Sequence, residues 1–238
     1  MIHFTCTQEN LAQGLATVSR IATKNANLPI LNNLLLKTTN GSLEVSATNL
    51  EIGMQLRIRG KVEDEGALTV PARILSEYVS LIGDEKVELE QQGLTLMIKT
   101  SRGETQLKGL AAEEFPLIPA VEQHEQLSCS AVSLREALPK VLFAAAHDET
   151  RPEISGIYLA ASGKKLTMVA TDSYRLAECS VRLNHPAAKD VHTIVPARTM
   201  QELLRMLGQK DAEVKLALTP NQILITHDDG ELVSRLID

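Results

Sequence analysis

Apolar residues recur along the chain at two spacings, and each change of spacing marks an element. Residues 1–6 alternate as a strand. From Gln8 to Lys24, Leu11, Leu15, Val18 and Ala22 recur at helical spacing, with Gln13, Thr17, Arg20 and Lys24 on the opposite face. Pro29 breaks the connection that follows. Leu31–Thr38 and Ser42–Thr48 read as strands about Asn40-Gly41, a pair that accepts the positive φ angles of a tight hairpin. Glu51–Arg59 alternates again, and Lys61 to Gly66 reads as an acidic loop. Pro71-Ala72-Arg73 opens a helix running to about Ile82, closed by Gly83-Asp84. Strands follow near Lys86–Gln91, Leu94–Lys99 and Glu104–Lys108, and Ala111 to Gln126, with two prolines and several acids, reads as a linker.

The pattern then starts again. An offset of 123 positions carries Cys6, Leu11, Leu15, Val18 and Pro29 onto Cys129, Leu134, Leu138, Val141 and Pro152. The same offset carries Leu43, Ala47 and Thr48 onto Leu166, Ala170 and Thr171. An offset of 125 lays Val70-Pro71-Ala72-Arg73 on the identical Val195-Pro196-Ala197-Arg198, with Glu77 on Glu202 and Gly83 on Gly208. Two insertions in the intervening loop account for the difference. The chain therefore reads as two copies of one α+β unit, residues 1–122 and 127–238, each with two helices packed on antiparallel sheets. Single helices between hairpin-linked strands favour antiparallel pairing over parallel crossovers. Pro139 falls inside the second copy's first helix and is expected to kink it.

Composition narrows the function classes. A chain of 238 residues that is 44% hydrophobic and 23% charged suits two soluble domains, and no run approaches the roughly 20 apolar residues of a membrane helix. The start, MIHFTCTQEN, lacks the features of a secretory signal, which points to the cytoplasm. Cys6, Cys129 and Cys179 have no metal-ligand spacing and read as small core residues. There is no glycine-rich phosphate loop, nucleophile elbow or CxxC motif. His147-Asp148-Glu149 reads as a solvated helix end and Asp228-Asp229-Gly230 as a hairpin turn, so no catalytic residue, metal or cofactor is expected.

The net charge of −6 argues against coating nucleic acid by overall charge and leaves open a local basic face. Arg20, Lys24 and Arg73 in the first copy, and Arg135, Lys140, Arg198 and Arg205 in the second, fall on or just after helices. Arg198, Glu202 and Arg205 share a helix face opposite Met200, Leu203, Leu204 and Leu207. If the helices of both copies line one surface, these cations form a stripe that holds phosphates without reading sequence. A second candidate is Met168 to Ser180, MVATDSYRLAECS, a strand-turn-strand whose first-copy counterpart is Glu44 to Met54. Tyr174-Arg175-Leu176 differs from its counterpart Glu51-Ile52-Gly53 and reads as the resumed strand. With Ile154 and Thr171 it suits one wall of a groove for an extended peptide.

The ordered set LPILNNLLL, ATNLEIG, TVPAR, EEFPLIP, ATDSYRLA and IVPARTMQELLRML closely resembles the bacterial DNA polymerase III β subunits, the sliding clamps, along the whole chain. The resemblance implies helices lining a ring around duplex DNA, sheets outside, three such domains per chain and a head-to-tail homodimer. It also implies loading by an ATP-driven machine, and partners, among them DNA polymerase and clamp-loader subunits, that dock through short clamp-binding peptides. Under it the chain, ending at Asp238 about where a third copy would begin, carries two of the three domains and half of the peptide cleft. That half comprises Ile154, Thr171, Ser173, Tyr174, Arg175 and Leu176, with Ser173-Tyr174 where the family often has Gly-His. Arg73 matches a DNA-contacting position, and Asn25 stands where an arginine is common, with Lys24 beside it. Pro152-Glu153 replaces an aromatic pair and Asp148 a glutamine, which weakens the DNA contact expected there. The implied function is a non-catalytic processivity factor; the alternative is a duplicated clamp-fold interaction module that does not slide on DNA.

Overall fold

The computed structural model describes residues 1–22, 28–83, 86–119, 125–148, 150–209 and 211–237. They form two compact units, Met1–Ile118 and Pro119–Asp238.

In unit 1, strand β1 (His3–Thr7) runs directly into α1 (Gln8–Val18). Thr7 caps the helix, its Oγ1 accepting from the Asn10 N–H at 3.4 Å, and Leu11, Leu15 and Val18 are buried as their spacing predicts. The helix ends at Val18, short of Lys24: Ser19 N–H closes on the Leu15 carbonyl and the chain turns. The expected β2 (Asn33–Thr39) and β3 (Ser42–Thr48) form a hairpin, with Asn40 and Gly41 at φ 47° and 79°. Strand β4 (Ile52–Arg59) follows.

The next segment corrects the sequence reading. Residues expected to be an acidic loop form β5 (Lys61–Asp64), antiparallel to β1. The free edge of β1 supplies backbone partners that composition does not reveal. Gly60 permits the bend, because a Cβ there would lie 2.4 Å from the Phe4 ring. Strand β6 (Ala67–Pro71) leads into α2 (Ala72–Leu81), and β7 (Lys86–Gln92), β8 (Thr95–Thr100) and β9 (Gly103–Lys108) complete the unit. Its strands order as β5-β1-β7-β8-β9 and β6-β2-β3-β4, with all described pairings antiparallel. The core is mainly aliphatic, including Leu11, Leu34, Leu36, Leu68, Leu75 and Leu89.

Unit 2 repeats this plan. It contains β10 (Glu125–Ser130), α3 (Ala131–Ala137), α4 (Pro139–Leu142), β11 (Gly156–Ser162), β12 (Lys165–Thr171), β13 (Leu176–Arg182) and β14 (Val191–Pro196). Helix α5 (Ala197–Met206) and strands β15 (Glu213–Leu218), β16 (Gln222–His227) and β17 (Gly230–Arg235) follow. The orders β10-β15-β16-β17 and β14-β11-β12-β13 match β1-β7-β8-β9 and β6-β2-β3-β4 strand for strand, and the β5 pairing is reduced to a single antiparallel bridge between Cys129 and Leu183. Ser130 caps α3 as Thr7 caps α1, accepting from the Ser133 N–H at 3.3 Å. At Pro139 the helix breaks into α3 and α4, while Leu138 keeps right-handed helical angles of −55° and −45°. The missing proline N–H leaves a gap in the hydrogen-bond ladder, which resumes where the Leu142 N–H donates to the Leu138 carbonyl at 2.9 Å.

Candidate functional site

The candidate cations separate into two groups. In unit 1, Gln8 Nε2 at the start of α1 donates to the Val79 carbonyl near the end of α2 at 2.8 Å, so the two helices run antiparallel. That arrangement brings Arg20, just beyond α1, and Arg73, in the first turn of α2, to the same end of the pair, both exposed. Arg73 Nε donates to Glu77 Oε1 at 2.6 Å, which raises the guanidinium pKa. A pair this exposed is easily broken by a stronger anion. Lys24 lies outside the described residues.

In unit 2, the Ala131 N–H at the start of α3 donates to the Ala212 carbonyl beyond α5 at 2.9 Å, the same antiparallel relation. Lys140 on α4 and Arg198 at the start of α5 are exposed at one end. Arg135 and Arg205 lie at the other and are engaged within the unit. Arg135 Nη1 donates to the Gly208 carbonyl, and Arg205 pairs with Glu202 at 2.5 Å. The shared face expected for Arg198, Glu202 and Arg205 is corrected here, because Glu202 is buried with Thr199, Met200, Leu203 and Met206. A hydrogen bond of 2.7 Å between the buried hydroxyls of Thr199 and Ser234 fixes α5 on β17 with Glu202 at the edge of its inner face. Leu204, expected inside, is half-exposed.

The peptide-wall candidates come together in unit 2. Strand β12 ends at Thr171 and β13 begins at Leu176, so Tyr174 and Arg175 belong to the turn and not to the resumed strand. Thr171 Oγ1 donates to the Arg175 carbonyl at 2.8 Å and accepts from the Ser173 N–H at 3.2 Å. Asp172 Oδ1 accepts from the N–H groups of Tyr174 and Arg175 at 3.1 and 3.0 Å, and its Oδ2 takes the Arg175 guanidinium at 2.9 Å. These donors, led by the Tyr174 N–H, lower the Asp172 pKa. With the backbone satisfied by 171 and 172, the Tyr174 side chain stands 98% exposed and Leu176 67% exposed. Ile154 is linked to this turn through Arg151, whose carbonyl accepts from the Ile154 N–H at 3.2 Å and whose guanidinium donates to Ser173.

Two further residues belong to this cluster. The Arg175 guanidinium lies 5.3 Å from the centre of the Phe143 ring, itself 55% exposed. Arg151 donates to Ser173 Oγ at 3.0 Å. An aromatic after a helix, in a chain with only three phenylalanines, was the available signal for Phe143. Nothing in the local sequence ties Arg151 to Ser173, 22 positions away.

Other features carry no chemistry of this kind. Among the described residues no group of three or more His, Cys, Asp or Glu side chains could hold a metal, and no helix is long and apolar enough to cross a membrane. Burial pushes the Cys6 and Cys129 thiols up to about 12, as core residues.

A duplicated unit of two sheets and paired helices, with exposed cations at helix ends and an apolar turn in one copy, is the fold of a clamp-type domain repeated in tandem. Comparison with known proteins agrees. Residues 2–119 match the DNA polymerase III beta subunit, N-terminal domain, and residues 129–238 match its central domain. The chain belongs to the DNA polymerase III beta subunit family. The beta sliding clamp of Synechococcus elongatus is 34% identical over 98% of this chain and 64% of its own length. That of Pseudomonas aeruginosa is 30% identical over 100% and 65%. A crystal structure of the Pseudomonas aeruginosa clamp bound to griselimycin superposes with a TM-score of 0.93 at 30% identity, over 100% of this chain and 65% of that one. The chain thus spans just under two thirds of the length of these relatives.

Proposed function

We propose that this protein is a non-catalytic processivity factor of the cytoplasm, a sliding clamp subunit that tethers DNA polymerase to duplex DNA. The observation that carries the reading is the match of both halves, in order, to the N-terminal and central domains of one clamp family. Arg20, Arg73, Lys140 and Arg198 hold duplex phosphates from exposed helix ends, without reading sequence. Arg135 and Arg205 act within unit 2, Arg135 tying α3 to Gly208 just beyond α5 and Arg205 neutralising the buried Glu202 on its own helix. Polymerase and clamp-loader subunits dock through short peptides on the wall of Ile154, Thr171, Ser173, Tyr174, Arg175 and Leu176, and the full-length form closes as a head-to-tail homodimer. No cofactor takes part in holding DNA.

Duplex DNA affinity measured against salt tests the reading. Replacing Arg20, Arg73, Lys140 and Arg198 by Ala should weaken binding and flatten the logarithmic salt dependence by about 0.9 per lost phosphate contact. Arg205→Ala should lower stability and leave the slope unchanged. Unaltered binding in the fourfold variant, or salt-independent binding by the parent chain, would favour an interaction module that does not engage DNA.

A further inference from the structure

The solvent face of the β14-β11-β12-β13 sheet changes chemistry along its strands. At one end Thr171 stands opposite Leu176, within the proposed peptide wall. At the other, six ladder steps away, Lys165 stands directly opposite Arg182, both exposed, with exposed Lys164 in the adjoining turn. Like charges directly opposite on an antiparallel pair are destabilising. Neither Lys165 nor Arg182 has an ion-pair partner among the described residues.

The duplicate shows that the sheet does not require this arrangement. At the equivalent position of unit 1, Ser42 stands opposite Arg59, and the next pair on that face is Glu44 opposite Arg57, 3.9 Å apart. In unit 2 that acid and base are replaced by Thr167 and Ser180, whose hydroxyls bond each other at 3.2 Å. Over these two pairs each unit therefore holds two cations, but unit 1 sets the Glu44 carboxylate among them, while unit 2, the copy that carries the apolar turn, has no acid there and places its two cations face to face. Between the two ends, Val169 faces Glu178, an exposed acid two steps from the Thr171–Leu176 pair.

We propose that Lys165 and Arg182 receive acidic residues of the same extended partner segment whose apolar anchor sits at Leu176. This rests on the peptide-docking reading above and adds a charge register to it. Six ladder steps at about 3.3 Å per residue span about 20 Å, which an extended segment along β12 and β13 covers in six to seven residues. Glu178 makes the register selective, since an acid two positions from the anchor meets a like charge while one six or seven positions away meets two cations. A nucleic acid is the competing occupant. It would use these cations without an apolar anchor and without a preferred spacing.

The test uses the 238-residue chain and labelled peptides with one apolar anchor, read by fluorescence anisotropy at low salt. Paired aspartates are placed six and seven positions before the anchor in one peptide and after it in another, against neutral controls. One of the two should bind about three- to tenfold tighter than its control, as two exposed charge pairs allow. The gain should vanish in the Lys165→Glu/Arg182→Glu variant and return when the peptide carries lysines there, with the neutral peptide unaffected. An acid two positions from the anchor should weaken binding, and Glu178→Gln should relieve it. If the neutral peptide binds, Leu176→Asp removes that binding, and the aspartates add nothing, the charge register is wrong and the docking wall stands. If the neutral peptide does not bind, both fall. Loss of duplex DNA binding in the charge-reversed variant, with peptides unaffected, assigns the cations to nucleic acid and overturns the proposal.

Discussion

The turns at 48–52 and 171–175 have one backbone and two uses. In both, a threonine hydroxyl donates to the carbonyl four residues on, and the following Asn49 or Asp172 accepts two backbone N–H groups. Leu50 and Ser173 share φ 76°, a left-handed angle uncommon outside glycine. The side chains that leave the turn then diverge. Ile52 is 2% exposed, and Gly53 packs so closely on Ile118 that a Cβ would lie 2.8 Å from its Cγ2. Their counterparts Arg175 and Leu176 face solvent. In unit 1 this corner is packed by Ile118, whereas in unit 2 the same backbone presents the side chains proposed above as a peptide wall, so the two copies differ in side chains and not in fold.

The contrast can be broken most severely at its apolar positions. Ile52→Asp should destabilise unit 1 by about 4 kcal/mol or more, because it buries an unpaired charge. Leu176→Asp should leave the denaturant midpoint unchanged while reducing binding of a clamp-binding peptide beyond detection, as calorimetry would read. If Leu176→Asp also unfolds the chain, the site is scaffold after all. Gly53→Leu, which puts the unit 2 residue into unit 1, should cost about 1–3 kcal/mol by overpacking against Ile118. A smaller effect is expected at the threonines. Thr48→Val should cost about 1–2 kcal/mol through its buried hydroxyl, and Thr171→Val, in a more exposed turn, less than half of that in the same unfolding series.

The smallest effect is one of pH. The Asp172 carboxyl sits below its ordinary 3.8 because backbone donors and Arg175 favour its charged form. Its contribution is therefore complete above pH 3.8 and is lost as pH falls through the lower folded value. Amide exchange at Tyr174 and Arg175 should quicken below pH 3.8 relative to Glu51 and Ile52, whose turn is held by neutral Asn49. Equal behaviour of the two turns would remove the carboxylate from the account.

Much of this architecture follows from residue order alone. Repeated VPAR segments place both second helices, Asn40-Gly41 places a hairpin, and the offset of 123 aligns the two turns. These signals are local, or they are identities between copies. What residue order does not convey depends on distant contacts. The strand Lys61–Asp64 exists because β1 has an edge to fill. Glu202 is buried because a Thr199–Ser234 bond sets the rotation of α5, and a helical wheel does not contain that bond. Tyr174 and Arg175 lie in a turn because side chains close it, where alternation suggested a strand. Likewise residue order does not separate the candidate cations, whereas the Gly208 carbonyl engages Arg135, and Arg205 is paired with a buried carboxylate, Glu202, where Arg73 is paired with an exposed one, Glu77.

The turn at 171–175 closes through the side chains of its first two residues, and that has a consequence for inheritance. Position 174 owes nothing to folding beyond its N–H, and its duplicate holds Glu51 where this copy holds Tyr174. A lineage can therefore rewrite that residue one codon at a time, and with it the surface of the proposed docking wall, while the fold that presents it passes on unchanged.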